Sequence, residues 1–358
     1  MAERRNRLGG ARKVAPRIRP AGMRVTARTV RVARLPDRTA GGGPAVRSRR
    51  VRPAVPPGPA VLALVVLLAA GLTACADRAV VEPAGRSGNV PTGPGGGRLD
   101  EPGPVVLLED FTDRQVFPPD NWWNLDISAA PVDPASEELI AWISGVTPQN
   151  PDARRRLHPD FGPPPYGIPY VGVSGTQPLR VVTFTHYPEQ SDPGAPGWPP
   201  GYPIPDEAYL LPNYIEGGVP GGGSSGDRHL LLIDRDNWLL FETWATRWNS
   251  AQQRWEAGSG AVWNLATNDR RPEGWTSADA AGLAIFPGLV RWDEAFGAEP
   301  IRHAFRFTTR ATDGYVWPAS HEAGDTEGAP PMGTRLRLLA SVDLSGYPEP
   351  LQRIFQAM

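Results

Sequence analysis

The chain has 358 residues, with 37 Lys and Arg against 38 Asp and Glu, for a formal charge of −1. That near-zero total conceals a split: residues 1–53 carry 15 Arg and one Lys against Glu3 and Asp37, a charge of +14, which leaves −15 for the remainder. An acidic remainder without a single Lys argues against nucleic acid or anionic polymers as bulk partners. A lone cysteine excludes an intrachain disulfide and a Cys-ligated zinc.

Residues 54–74 carry no charge and hold an apolar run from Ala60 to Leu72, followed by Thr73-Ala74-Cys75. Basic, then apolar, then small residues make a secretory signal. The run falls short of the roughly 20 residues that span a bilayer. Leu72-Thr-Ala-Cys75 resembles the bacterial lipobox, which implies cleavage before Cys75, a lipid on that cysteine, and a place on the outer side of a bacterial membrane in the cell envelope. The patternless Arg-rich stretch before it reads as an over-extended gene start, with Met23 or a later start more plausible. Residues 1–74 are therefore leader and signal peptide. Residues 75–103, rich in Gly, Pro and Ser, are a flexible linker. Residues 104–358 form a single domain large enough for a sizeable core.

Apolar or alternating runs bounded by Gly, Pro, Asn or Asp predict strands at 104–109, 179–186, 228–234, 237–246, 254–264, 301–309 and 335–343. Helices are few. Asp133-Pro134 opens one that runs through Ile143, Thr276–Ala281 suggests a short second, and Pro348–Met358 a third. Pro-rich loops fill 145–178 and 187–227. The pattern predicts a mainly β domain, an antiparallel β-sandwich or jelly roll with long loops.

Asp234-Arg-Asp-Asn237 is a polar turn between two apolar runs. A two-residue loop there sets His229 opposite Glu242, with Trp244 on the same face, close enough for a His–carboxylate pair. A cross-strand ion pair without chemistry fits the same spacing. In Gly274-Trp-Thr-Ser-Ala-Asp279, the acid is either a helix-capping group or a cleft carboxylate beside Trp275. In Ile301-Arg-His-Ala-Phe-Arg-Phe307, alternation puts His303 on the apolar face and Arg302 with Arg306 on the other. That makes His303 a core residue or a site residue. All 12 Trp follow the linker, several in polar loops, and a flat indole suits the C–H face of a sugar. No nucleophile elbow, phosphate loop, His-Glu-x-x-His or dinucleotide fingerprint is present. The five His, at 158, 186, 229, 303 and 321, show no ligand spacing, so neither metal nor cofactor is expected.

Several stretches together resemble a family of secreted bacterial proteins without an established reaction. They are Asp120-Asn-Trp-Trp-Asn-Leu-Asp-Ile-Ser128 with Pro131-Val-Asp-Pro134, Gly226-Asp-Arg-His229 with Asp234-Arg-Asp236, Ala257-Gly-Ser-Gly-Ala261, Gly274–Leu283 with Pro287–Arg291, Arg302-His303 and Pro330–Arg337. The resemblance spans nearly the whole domain. It implies one domain with a site near these stretches, and no mechanism.

The leading expectation is an extracytoplasmic enzyme cleaving a polysaccharide, as a hydrolase or lyase. Glu242 and Asp279 would be its carboxylates, and His229 and His303 its proton carriers or orienting groups. Trp244, Trp275, Arg302, Asp227 and Arg228 are the candidate substrate contacts. The rivals are a non-catalytic lipoprotein that binds a glycan or another envelope component, and a metal-dependent hydrolase. In each, the membrane is met only through Cys75.

Overall fold

Most of the apolar runs become strands in a computed structural model, which describes residues 30–34, 103–145, 147 and 167–358. All of these belong to one of the two compact units of the chain, the one comprising 1–38 and 100–358. The apolar signal run, Cys75 and the linker as far as residue 102 lie outside the described residues.

In chain order the elements are β1 (Val30–Ala33), β2 (Val106–Leu107), α1 (Ser136–Ser144), β3 (Tyr170–Val173), β4 (Val182–Phe184), α2 (Glu207–Leu210), β5 (Leu230–Asp234) and β6 (Leu239–Trp244). They continue with β7 (Arg247–Asn249), β8 (Arg254–Ala257), β9 (Ser259–Asn264), α3 (Trp292–Ala295), β10 (Arg335–Leu338) and α4 (Glu349–Ala357). The described residues are thus mainly strands with a few short helices. They form three sheets, of order β2-β3-β5-β6-β9, β4-β8-β7 and β1-β10, and no barrel.

The pairings β3–β5 and β4–β8 are parallel, so the two larger sheets are mixed rather than antiparallel throughout. A parallel pair needs a long connection. The Pro-rich segment between β3 and β5 provides one, and it carries β4 and α2 on the way.

Alternation along the strands of the five-stranded sheet separates two cores. Tyr170, Leu231, Ile233, Leu240, Ala261 and Trp263 face one way, into a cluster with Phe111, Trp122, Trp123 and Phe286. Val171, Val173, Leu230, Leu232 and Phe241 face the other way and pack with Val182, Trp255 and Ala257 of the three-stranded sheet.

Helix α1 starts at Ser136, two residues after the expected opening at Pro134: Asp133 forms a turn before it, its Oδ1 accepting the Ala135 N–H at 2.8 Å, and Gly145, at φ +75°, closes the other end. Strand β1 lies within the stretch read as leader. It pairs antiparallel with β10, and Ser136 Oγ of α1 accepts the Val32 N–H at 2.9 Å. Val30 and Val32 pack with Ile140, Ile143 and Phe355 in a third apolar cluster.

Two expected elements do not form. Residues 276–281 are a loop, because the Ser277 hydroxyl bonds locally: it accepts the Asp279 N–H at 2.9 Å and reaches the Leu283 carbonyl at 2.6 Å. Ser and Thr side chains compete in this way with helical hydrogen bonding. Residues 301–309 alternate in sequence but join no ladder. The Ala304 and Arg306 N–H groups donate instead to the Trp123 and Gly288 carbonyls, at 2.7 and 2.9 Å.

Candidate functional site

The β5–β6 turn fixes which residues can meet. Asp234 is buried, and its Oδ1 accepts the N–H groups of Asp236 and Asn237, both at 3.0 Å. Its Oδ2 takes the Asn237 amide at 2.8 Å. This side-chain-closed turn runs through Trp238, whose φ is +55°, so Asp234 pairs with Leu239 across a four-residue loop. The expected two-residue loop is therefore wrong by two positions. Leu231, not His229, lies opposite Glu242.

Glu242 consequently faces the core. It is wholly buried, its Oε1 accepts the Ile285 and Phe286 N–H groups at 2.9 Å, and its Oε2 accepts Ile285 at 3.0 Å. Burial pushes its carboxyl up to about 7, against the pull of those two N–H groups.

His229 finds another carboxylate. Its Nδ1 is 2.6 Å from Glu216 Oε2, and its Nε2 is 3.2 Å from the Ala278 carbonyl oxygen. The backbones lock the pair as well. Glu216 N–H donates to the His229 carbonyl at 3.0 Å, and His229 N–H reaches Glu216 Oε2 at 3.3 Å. Burial raises the Glu216 carboxyl, but the hydrogen bonds and charge of His229 outweigh it and leave the group below the usual carboxylate range. Glu216 sits in a loop with no periodicity. Its only signal in the sequence is an acid between Ile215 and the pair Gly217-Gly218.

Beside His229 runs an open cleft of ≈ 2900 Å³, lined among others by Tyr187, Asp227, His229, Trp244, Asp279 and His321. Asp227 is exposed and accepts the Trp244 indole N–H at 3.2 Å. Rings gather about Trp244: His186 at 5.3 Å and Tyr187 at 6.4 Å between centroids, with His321 at 6.3 Å from Tyr187. Asp279 is held by Arg306 Nη2 at 2.6 Å. Arg306, which the sequence left with Arg302 as either a solvated face or a group for a carboxylated substrate, is committed to this acid of the chain.

His303 and Arg302 also line this long cleft, and Arg302 is exposed. The imidazole, however, is committed to Glu294, 3.0 Å from Nε2, and Glu294 is shared with Arg291 at 2.6 Å. Trp275 is half-buried with the Arg271 guanidinium 5.3 Å from its ring, and it does not line the cleft. Arg228 does not line it either. Its φ is +50°, and its Nη1 turns back to the Gly226 carbonyl at 2.7 Å. Asp227, His229, Trp244, Asp279, Arg302 and His303 thus line the cleft, whereas Glu242, Trp275 and Arg228 do not. Among the described residues no helix is long and apolar enough to cross a membrane. Compared with known proteins, the chain matches no family model, no curated protein and no solved structure.

Proposed function

We propose that the chain is a glycan-binding lipoprotein of the bacterial cell envelope, anchored through Cys75 and without catalytic turnover. One observation carries the reading: Tyr187, Trp244 and His321 form an aromatic wall of the cleft, and the Trp244 N–H is fixed by the exposed Asp227. A rigid indole and phenol present flat apolar faces to sugar C–H groups, while neighbouring carboxylates accept hydrogen bonds from the hydroxyls. Asp227 and Asp279 supply such acceptors, and the Arg306 partner of Asp279 supplies donors.

The four residues expected to do chemistry are all engaged. Glu242 is inaccessible, His229 is held between Glu216 and Ala278, Asp279 by Arg306, and His303 by Glu294. A general acid or nucleophile must reach the substrate, and these bonds favour recognition over catalysis. For the architecture, we infer a β-sandwich built from the five-stranded and three-stranded sheets, whose apolar residues share one core.

The test is a glycan array probed with wild-type chain and with Tyr187→Ala and Trp244→Ala, followed by calorimetry and a product assay on any hit. Binding is expected from the wild type and should weaken at least about tenfold in each variant, as for loss of a central aromatic contact. Release of shortened or unsaturated sugar would overturn the non-catalytic assignment. An array without a single hit would overturn the glycan itself.

A further inference from the structure

We infer that Glu216, Asp227 and His229 form a binding site for one divalent transition-metal cation of the zinc type, at the cleft edge beside Trp244. One ligand atom from each of the three lies within 4.8 Å of the others. The inference shares Asp227 with the glycan reading but rests on the ligand atoms of the three residues and not on the aromatic wall.

The decisive feature is the arrangement of lone pairs. His229 Nε2 faces the Ala278 carbonyl, 3.2 Å away, and a carbonyl oxygen only accepts. The ring proton therefore sits on Nε2, and in the neutral imidazole Nδ1 presents a lone pair. That lone pair points at Glu216 Oε2, also an acceptor, only 2.6 Å away. Two such atoms repel unless a positive centre lies between them, either a proton or a metal ion. A backbone carbonyl on the remote ring nitrogen is the usual outer support of a ligating histidine, since it sets both the tautomer and the ring plane.

That support is itself fixed. Ser259 Oγ donates to the Ser277 carbonyl at 2.7 Å, and Ser277 Oγ to the Leu283 carbonyl at 2.6 Å, so the loop bearing Ala278 is held on both sides of the bond. Glu216 is held by its N–H, which donates to the His229 carbonyl, and by its carboxylate, which accepts the His229 N–H.

Charge and accessibility fit a divalent ion. Two carboxylates with one neutral imidazole carry the two negative charges that such an ion neutralises. Glu216 and His229 are buried, while Asp227 is exposed and forms the open side. Asp227 Oδ1 accepts the Trp244 N–H at 3.2 Å, and an ionised carboxylate keeps further lone pairs for a ligand. Metal–ligand bonds of about 2.0–2.2 Å place neighbouring tetrahedral ligands a little over 3 Å apart, so Nδ1 and Oε2 need to part by less than about 1 Å. A nitrogen donor with two carboxylates suits zinc and its neighbours better than calcium or magnesium, which prefer all-oxygen shells. The nearby Arg306 is already paired with Asp279.

The experiment is equilibrium dialysis of the purified, untagged full chain against Zn²⁺ alone, with metal analysis, and a visible spectrum of the Co²⁺-loaded protein. One zinc per chain is expected, with Co²⁺ absorption bands typical of a four- or five-coordinate ion. His229→Ala should abolish uptake. Should that variant fail to fold, Asp227→Asn at the exposed edge still decides the matter: zinc affinity should fall at least about tenfold. No zinc bound by the wild type, or wild-type affinity in Asp227→Asn, overturns the site and leaves a proton as the occupant. No sugar takes part, so failure here is distinct from failure of the glycan reading.

Discussion

Glu242 clamps Phe286: its buried carboxylate takes the Phe286 N–H at 2.9 Å and ties the middle of β6 to the loop that carries this wholly buried aromatic of that core face. The tie has a pH signature. The folded-state value is about 7, raised by burial from an ordinary 4.5. A raised carboxyl is neutral in both states below about 4.5. Above that the unfolded chain ionises first, so folding loses stability as pH rises to about 7 and changes no further beyond it. The gap corresponds to on the order of 3 kcal/mol. Urea unfolding at pH 4.5, 6 and 8 should show this decline in the wild type and a smaller one in Glu242→Gln. Equal slopes in the two proteins would refute it.

Glu256 should behave in the opposite sense. Hydrogen bonds from Asn249, Arg247 and Arg254 hold its carboxyl down at about 2. The carboxylate is hidden mainly beneath these side chains, and the two arginines remain 57% and 45% exposed, so solvent screens the interaction. A depressed acid stabilises above its unfolded value and loses that contribution as pH falls through about 2. Glu256→Gln should therefore be less stable near neutrality by no more than about 1 kcal/mol per ion pair, with the difference shrinking in salt and in strong acid. Unfolding midpoints that differ equally at pH 7 and pH 2 would contradict this.

The turn at Asp234 offers a sharper stability test. A single buried side chain there satisfies two backbone N–H groups and an amide. Hydrogen bonds to a charged acceptor are worth about 1.5–3 kcal/mol. Asp234→Ala should lower stability by at least about 2 kcal/mol and Asp234→Asn by less, read from chemical denaturation. A neutral Asp234→Ala would mean that the turn is closed by something else.

The same residue explains why the strands were legible and their register was not. Leu230–Ile233 and Leu239–Phe241 announce themselves by composition, since both faces of that sheet are covered. Where Asp234 pairs depends on turn chemistry, and an acid able to cap two N–H groups favours a four-residue loop over two. A slip of two positions keeps every side chain on its face but changes each partner. Strand β3 was hidden among prolines, because its partner β5 lies far along the chain and local pattern carries no trace of a parallel pairing. Glu216 was missed for a related reason: a single backbone bond to His229, 13 positions on, brings the two together, and neither periodicity nor spacing reports such a contact.

Strand β1 sets a condition on the N-terminus. Val30 and Val32 are 1% and 4% exposed, packed beneath α1 and α4, and β1 covers one edge of β10. Cleavage before Cys75 removes both valines. At about 1.5–3 kcal/mol for each buried Val, their loss costs up to about 6 kcal/mol, an upper bound because the unfolded chain is itself partly collapsed. For a domain of this size that corresponds to a melting point lower by roughly 5–20 °C. We expect the native protein to begin at a lipidated Cys75, and Cys75→Ser to leave it in the soluble fraction. Recombinant 75–358 should then melt below the full-length chain and recover on addition of a peptide spanning residues 28–36. Equal melting points would show that β1 adds nothing to the fold. A native chain that starts before residue 30 and keeps β1 would refute the lipidation at Cys75 and make Val30–Ala33 a permanent strand of the domain.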